Sequence, residues 1–216
     1  MIPADIVNLG PWSKLQKLDI SNMHLSRWPI LPSTLTHLAL RDNTLLADPP
    51  EDRELAPLPL LELFDCHSTF ISAAFLKKLT APSIKEGHLK KLYMGGRIND
   101  FLNTPVETEF PAAESLEELS VAEMILSDWR MIQIVALYPN LKALDASSTK
   151  ITGVAVKHFF LNHGIKSLKI NECDDVGTDA IEWARRQEGV ELVVNFPSRR
   201  ASGRNRFGDS RFARYF

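Results

Sequence analysis

Apolar residues recur along this chain in a fixed rhythm, in which an apolar position is followed by two variable ones, a second apolar position, one variable position and a third apolar one. The pattern L-x-x-L-x-L can be laid down seven times, starting at Leu15, Leu35, Leu58, Leu89, Leu116, Leu141 and Ile165. Its apolar positions read Leu15/Leu18/Ile20, Leu35/Leu38/Leu40, Leu58/Leu61/Leu63, Leu89/Leu92/Met94, Leu116/Leu119/Val121, Leu141/Leu144/Ala146 and Ile165/Leu168/Ile170. All twenty-one are apolar in a chain whose apolar fraction is 44%, far more than chance supplies. The intervals are 20, 23, 31, 27, 25 and 24 residues, a period typical of stacked supersecondary units. The inner L-x-L has the alternation of a strand with one buried face. Helical spacing follows in the later units, over 72–79, 128–137, 152–161 and 178–187. Asp128, Thr152 and Thr178 are the expected N-caps, and Gly164 and Gly189 stand where left-handed C-terminal caps belong. In the first unit "RWPILPS" replaces the helix, and its prolines predict an extended or 3₁₀ segment. Residues 192–196 read as a final edge strand, which Pro197 ends because it has no N–H to donate.

The architecture these elements predict is α/β: a solenoid with parallel strands on its concave face and helices and irregular segments on its convex face. Residues 1–196 form about seven repeats plus the edge strand, and residues 197–216 form a basic C-terminal tail. The ninth position of the pattern reads Met23, Asn43, Cys66, Arg97, Met124, Thr149 and Cys173. Cys66 and Cys173 therefore share a slot that turns inward, where Asn or Cys can bond to loop backbone. Four strand spacings of about 4.8 Å keep the two thiols too far apart for a disulfide.

The stretches "IKSLKINECDDVGTDAIEWA", "LKALDASSTKITGVAVKHF" and, more loosely, "LPLLELFDCHSTFISAAFLKKL" resemble the cysteine-containing leucine-rich repeat, L-x-x-L-x-L-x-x-C-x-x-I-T-D-x-x-L-x-x-L. The resemblance spans about residues 58–196; the first two repeats are shorter and proline-containing. That subtype is typical of F-box/LRR proteins, and the closing "GTDAIEWARRQEGVELVV" is similar to the end of fungal members. The resemblance implies the substrate-binding domain of an SCF-type E3 ubiquitin ligase, with a protein substrate, at chromatin or the replisome, held on the concave face. The Skp1 adaptor would be reached only through an F-box. None occurs in residues 1–216, so N-terminal modules are expected outside this sequence. The alternative is a free-standing leucine-rich-repeat scaffold or regulatory protein-binding domain without ubiquitin function.

Charge changes the picture at one place. The net charge of −2 combines a +5 tail, with six Arg and one Asp, and a −7 body. Arg199, Arg200, Arg204, Arg206, Arg211 and Arg214 are interleaved with Phe207, Phe212, Tyr215 and Phe216, a composition suited to nucleic-acid contact, to folding back over the acidic body, or to disorder. The absence of a secretory signal pattern and of an eighteen-residue apolar run argues for a nuclear or cytoplasmic protein away from membranes.

No catalytic constellation is legible. His158 and His163 are five apart rather than at metal-pair spacing and are expected on different faces. Cys66 and His67 are sequence neighbours rather than a nucleophile and its base. Asp174 and Asp175 read as a solvated turn, and "MGGR" at 94–97 lacks the spacing of a phosphate loop. The expectation is a binding module without catalysis, cofactor or metal.

The partner surface follows from the pattern, because residues flanking the buried L-x-L positions point to the opposite face. It comprises Asp19, Arg41, Glu62, Phe64, Tyr93, Ser120, Asp145, Lys169 and Asn171, with Phe64 and Tyr93 forming an exposed aromatic hot spot. Residues 46–57 and 95–113 break the helical rhythm and are expected to be irregular loops, the second bordering the aromatic pair.

Overall fold

The computed structural model describes residues 8–50, 53, 55–96, 105, 106 and 110–195. Eight three-residue strands form one sheet: β1 Lys17–Asp19, β2 His37–Ala39, β3 Leu63–Asp65, β4 Lys91–Tyr93, β5 Glu118–Ser120, β6 Ala143–Asp145, β7 Ser167–Lys169 and β8 Glu191–Val193. All neighbours pair in parallel, and spatial order equals chain order. In-register pairing sets Leu18, Leu38, Phe64, Leu92, Leu119, Leu144, Leu168 and Leu192 in one row across the sheet. The six interior members of that row are at most 2% exposed.

That row corrects the third unit of the sequence pattern. Its buried positions are Leu61, Phe64 and Cys66, each 0% exposed, and Leu63 lies on the other face. The unit starts at Leu61, and the intervals become 20, 26, 28, 27, 25 and 24. Leu58 and Leu63 satisfy the apolar pattern equally well, so alternation alone leaves a shift of three residues undetected. Backbone geometry removes the ambiguity. Asn22, Asp42, Ser68, Gly96, Glu123, Ser148 and Glu172 occupy the eighth position of the seven units, and all have φ between 55° and 70°. Their N–H groups donate to the carbonyls of Arg41, His67, Gly95, Ala122, Ser147, Asn171 and Asn195 in the following unit at 2.7–3.1 Å. A left-handed residue costs a non-glycine side chain about 1–2 kcal/mol. The inter-unit hydrogen bond offsets that cost and turns the chain out of the sheet at the same place each time.

The ninth position then points inward, and its polar side chains are satisfied by backbone. Buried Asn43 donates to the Ile20 and Leu40 carbonyls (2.9 and 2.8 Å) and accepts from the N–H groups of Met23 and Leu25 (3.2 and 3.0 Å). The third unit places Thr69 there, and its hydroxyl donates to the Cys66 carbonyl at 2.7 Å. Thr149 Oγ1 and Cys173 Sγ both donate to the Ala146 carbonyl, at 2.7 and 3.1 Å. Cys66 and Cys173 therefore occupy different slots, contrary to the sequence reading, and both are buried free thiols.

Four helices cover the inward face among the described residues: α1 Ala73–Lys85, α2 Asp128–Ala136, α3 Gly153–Asn162 and α4 Thr178–Arg185. Thr152 caps α3 as expected, accepting from Val154 N–H. Ser127 and Gly177 occupy the other two N-cap positions, one residue before Asp128 and Thr178. Asp128 instead reaches across to the next unit. Its carboxylate accepts from both the N–H and the hydroxyl of Thr152 at 2.6 Å, which fixes the start of α3. Asp48 holds Ser72, the N-cap of α1, in the same way. Gly164 and Gly189 have the expected left-handed φ. The segment around Trp28 is not helical; the indole is 2% exposed and packs edge-on against Phe75, centroids 4.7 Å apart. Val106 is helical and Phe110 N–H donates to its carbonyl at 2.8 Å. Residue 106 of the expected irregular loop is thus helical, while residues 97–104 and 107–109 lie outside the described residues. Beyond residue 195 the same holds for Pro197 and the six tail arginines.

Candidate partner-binding groove

Besides the row at the strand starts, which holds Lys91, Glu118 and Ala143, period-two alternation exposes two rows of side chains on the face away from the helices. In strand order the first reads Asp19, Ala39, Asp65, Tyr93, Ser120, Asp145, Lys169 and Val193. The second, two residues further along each unit, reads Ser21, Arg41, His67, Gly95, Ala122, Ser147 and Asn171. Small residues at Ser120, Ala122 and Ala143 open a groove of about 440 Å³, walled by Asp65, His67, Tyr93, Glu118, Glu123 and Asp145 and reached at its ends by Arg41 and Lys169.

Six predicted residues meet in this groove: Arg41, Tyr93, Ser120, Asp145, Lys169 and Asn171. Asp19 lies on the same face but outside the groove, on edge strand β1. Two predictions are corrected. Phe64 is in the core rather than on the surface, so no Phe64/Tyr93 aromatic pair exists; Asp65 is the neighbour of Tyr93. Glu62 precedes β3, with its carbonyl accepting from Lys90 and Lys91 N–H (both 2.9 Å), and does not line the groove. Both follow from the shifted start of the third unit. Asp65, His67, Glu118 and Glu123 were missed. A signal for the first two was present: "LDIS", "FDCH" and "LDAS" align Asp19, Asp65 and Asp145 in one column. Each of these carboxylates accepts the N–H two residues on, from Ser21, His67 and Ser147, at 3.0, 3.0 and 3.1 Å.

The polar groups are held in place. Tyr93 O–H donates to Glu118 Oε1 at 2.7 Å, and Lys91 pairs with Glu118 Oε2 at 2.7 Å. Burial pushes the Glu118 carboxyl up, but the hydrogen bonds from Lys91 and Tyr93 outweigh it and hold the group below its ordinary value. Burial and the bond to Glu118 raise the Tyr93 phenol, so it remains a protonated donor. Asp65 is raised, chiefly by burial, against the opposing effects of the His67 N–H and the Arg41 charge. His67 is 6% exposed; Ser68 Oγ lies 3.0 Å from its Nδ1, and Glu123 lies 3.9 Å from its Nε2.

The remaining chemical candidates assemble nothing comparable. Burial raises the Cys66 thiol far from reactivity. His158 and His163 are neighbours, ring centroids 5.2 Å apart, rather than on different faces as the sequence suggested. Among the described residues, no three metal-ligating side chains cluster, and no helix is long and apolar enough to cross a membrane. No family model matches the chain, and no curated protein matches it.

Proposed function

We propose that the chain is a leucine-rich-repeat solenoid and that the open face of its sheet is a protein-recognition surface. We propose further that it serves as the substrate-binding domain of an F-box/LRR receptor in an SCF-type ubiquitin ligase, with Skp1 engaged through a module outside this sequence. The observation that carries the recognition reading is the groove. Its walls combine a pinned tyrosine, four carboxylates and two terminal cations on a rigid parallel ladder. Pre-ordered polar and aromatic groups around a hollow favour binding, because little side-chain entropy remains to be lost. The ligase assignment draws on the cysteine-type motif around Cys173, whose thiol bonds backbone from the preceding unit.

Two experiments test these levels separately. Co-purification of the full-length protein should recover the Skp1 adaptor. A full-length protein that never retains it would leave a free-standing scaffold or regulatory domain as the reading. Ser120→Arg fills the groove without touching the core and should reduce affinity for a captured partner at least about tenfold. Unchanged affinity would remove the groove from the interface.

A further inference from the structure

The charges of the groove are unevenly placed. Arg41 follows β2 and Lys169 sits on β7, so the two cations stand at opposite ends, about 24 Å apart at five strand spacings. Between them the wall residues Asp65, Glu118, Glu123 and Asp145 are all acidic. Glu118 is already neutralised by Lys91 at 2.7 Å, and Asp145 is loosely matched by Lys169 at 3.8 Å. Asp65 lines the groove and has no cation within ion-pairing distance among the described residues; one of its oxygens accepts from the His67 backbone. Glu123 has only His67, at 3.9 Å.

The unmatched carboxylates surround an aromatic ring and a hole. Tyr93 pairs in register with Asp65 on one side and Ser120 on the other. Its hydroxyl is tied down by Glu118, so the ring is held as a fixed platform. Beside it the small side chains of Ser120 and Ala122 leave the floor open. A planar cation lying on the Tyr93 ring would meet Asp65 from the side and Glu123 and Asp145 from the far wall. Guanidinium suits this better than ammonium, because it stacks on aromatic faces and pairs with carboxylates through two parallel N–H groups.

We infer that the groove selects a protein segment by an arginine side chain, which stacks on Tyr93 and pairs with Asp65. This rests on the reading of the open face as a protein-recognition surface. The partner is therefore a chain with an accessible, extended, arginine-bearing segment, and charge complementarity is what identifies it. A cation beside Asp65 would favour its ionised form and so oppose the effect of burial, as the Arg41 charge already does in part.

Selection of a random peptide library on the full chain tests this. The expected result is a set of binders sharing one arginine. Replacing it by lysine should weaken binding about tenfold, and Asp65→Asn should do the same, since a charge-assisted pair is lost while the variant keeps the acceptor for His67 N–H. Binders that are blocked by Ser120→Arg but share no arginine would overturn the arginine assignment and leave the recognition face standing. Binders indifferent to Ser120→Arg, or no binders at all, would overturn both. If changing Arg199, Arg200, Arg204, Arg206, Arg211 and Arg214 to Ser raised affinity for the same peptides tenfold or more, the chain's own C-terminal segment would be the occupant, and the assignment to a partner would fail.

Discussion

Exchanging Phe64 for Ala distinguishes the two registers of the third unit directly. Phe64 is 0% exposed in the middle of β3, paired with Leu38 on one side and Leu92 on the other, both also 0% exposed. Losing the ring forfeits a transfer free energy of about 1.5–3 kcal/mol. The parallel ladder on both sides cannot collapse into the gap, so a cavity term adds to this, giving about 3–5 kcal/mol in all. Leu63, one residue earlier, is half-exposed on the other face, and Leu63→Ala should cost roughly 1 kcal/mol or less. Urea unfolding of the two variants, followed by circular dichroism and fitted with a common slope, gives both values. Equal costs, or a larger cost for Leu63→Ala, would refute the register and return Phe64 to the surface.

Further outcomes follow from the same geometry. Asn43→Ala leaves the Met23 and Leu25 N–H groups and the Ile20 carbonyl without their partner, and should cost at least about 3 kcal/mol in urea unfolding. Asp65→Asn should equal or exceed the wild type in stability at pH 7. The folded-state value of Asp65 is raised above the ordinary 3.8, so the unfolded chain releases its proton first. Wild-type stability falls as pH rises through that window, and the difference between the two proteins should vanish below about pH 3, where both states are protonated. Urea midpoints at the two pH values check the sign. Cys66 and Cys173 are both 0% exposed and should resist an aromatic disulfide reagent until denaturant is added, which absorbance of the released thiolate reports.

Much of the fold was readable because each unit repeats one physical problem. An apolar triplet must face helices, and a strand of three residues must pair with the next. Six of the seven starting positions followed from that alone. The third unit failed because Leu58, Leu61, Leu63 and Phe64 offer competing apolar triplets, and leucine was favoured over the larger ring. The aspartate column of Asp19, Asp65 and Asp145 would have resolved it, because a carboxylate bonding the N–H two residues on fits only one register. The groove was half legible: the row containing Tyr93, Ser120, Asp145 and Lys169 follows from alternation. Glu118 lies on the same face by the same alternation, two residues before Ser120, but in the row at the strand starts, which was not counted among the partner residues. Glu123 was not legible, since it reaches in from the left-handed turn.

At Gly95 a Cβ atom would stand 2.2 Å from the Ala122 carbonyl oxygen and 3.0 Å from the His67 ring. Two backbones are in contact there, next to the groove residues Ala122 and His67, so no side chain can be accommodated at Gly95 without moving a strand. Ser147 and Asn171 border the groove with side chains tied to backbone of the following unit, accepting from Asn171 N–H at 3.2 Å and Asn195 N–H at 2.7 Å. On the proposed recognition role, a lineage carrying this fold retunes its preference most readily at rim positions whose side chains hold no neighbouring strand. Gly95 is not among the positions that can change, so preferences would diverge while this contact between strands is inherited unchanged.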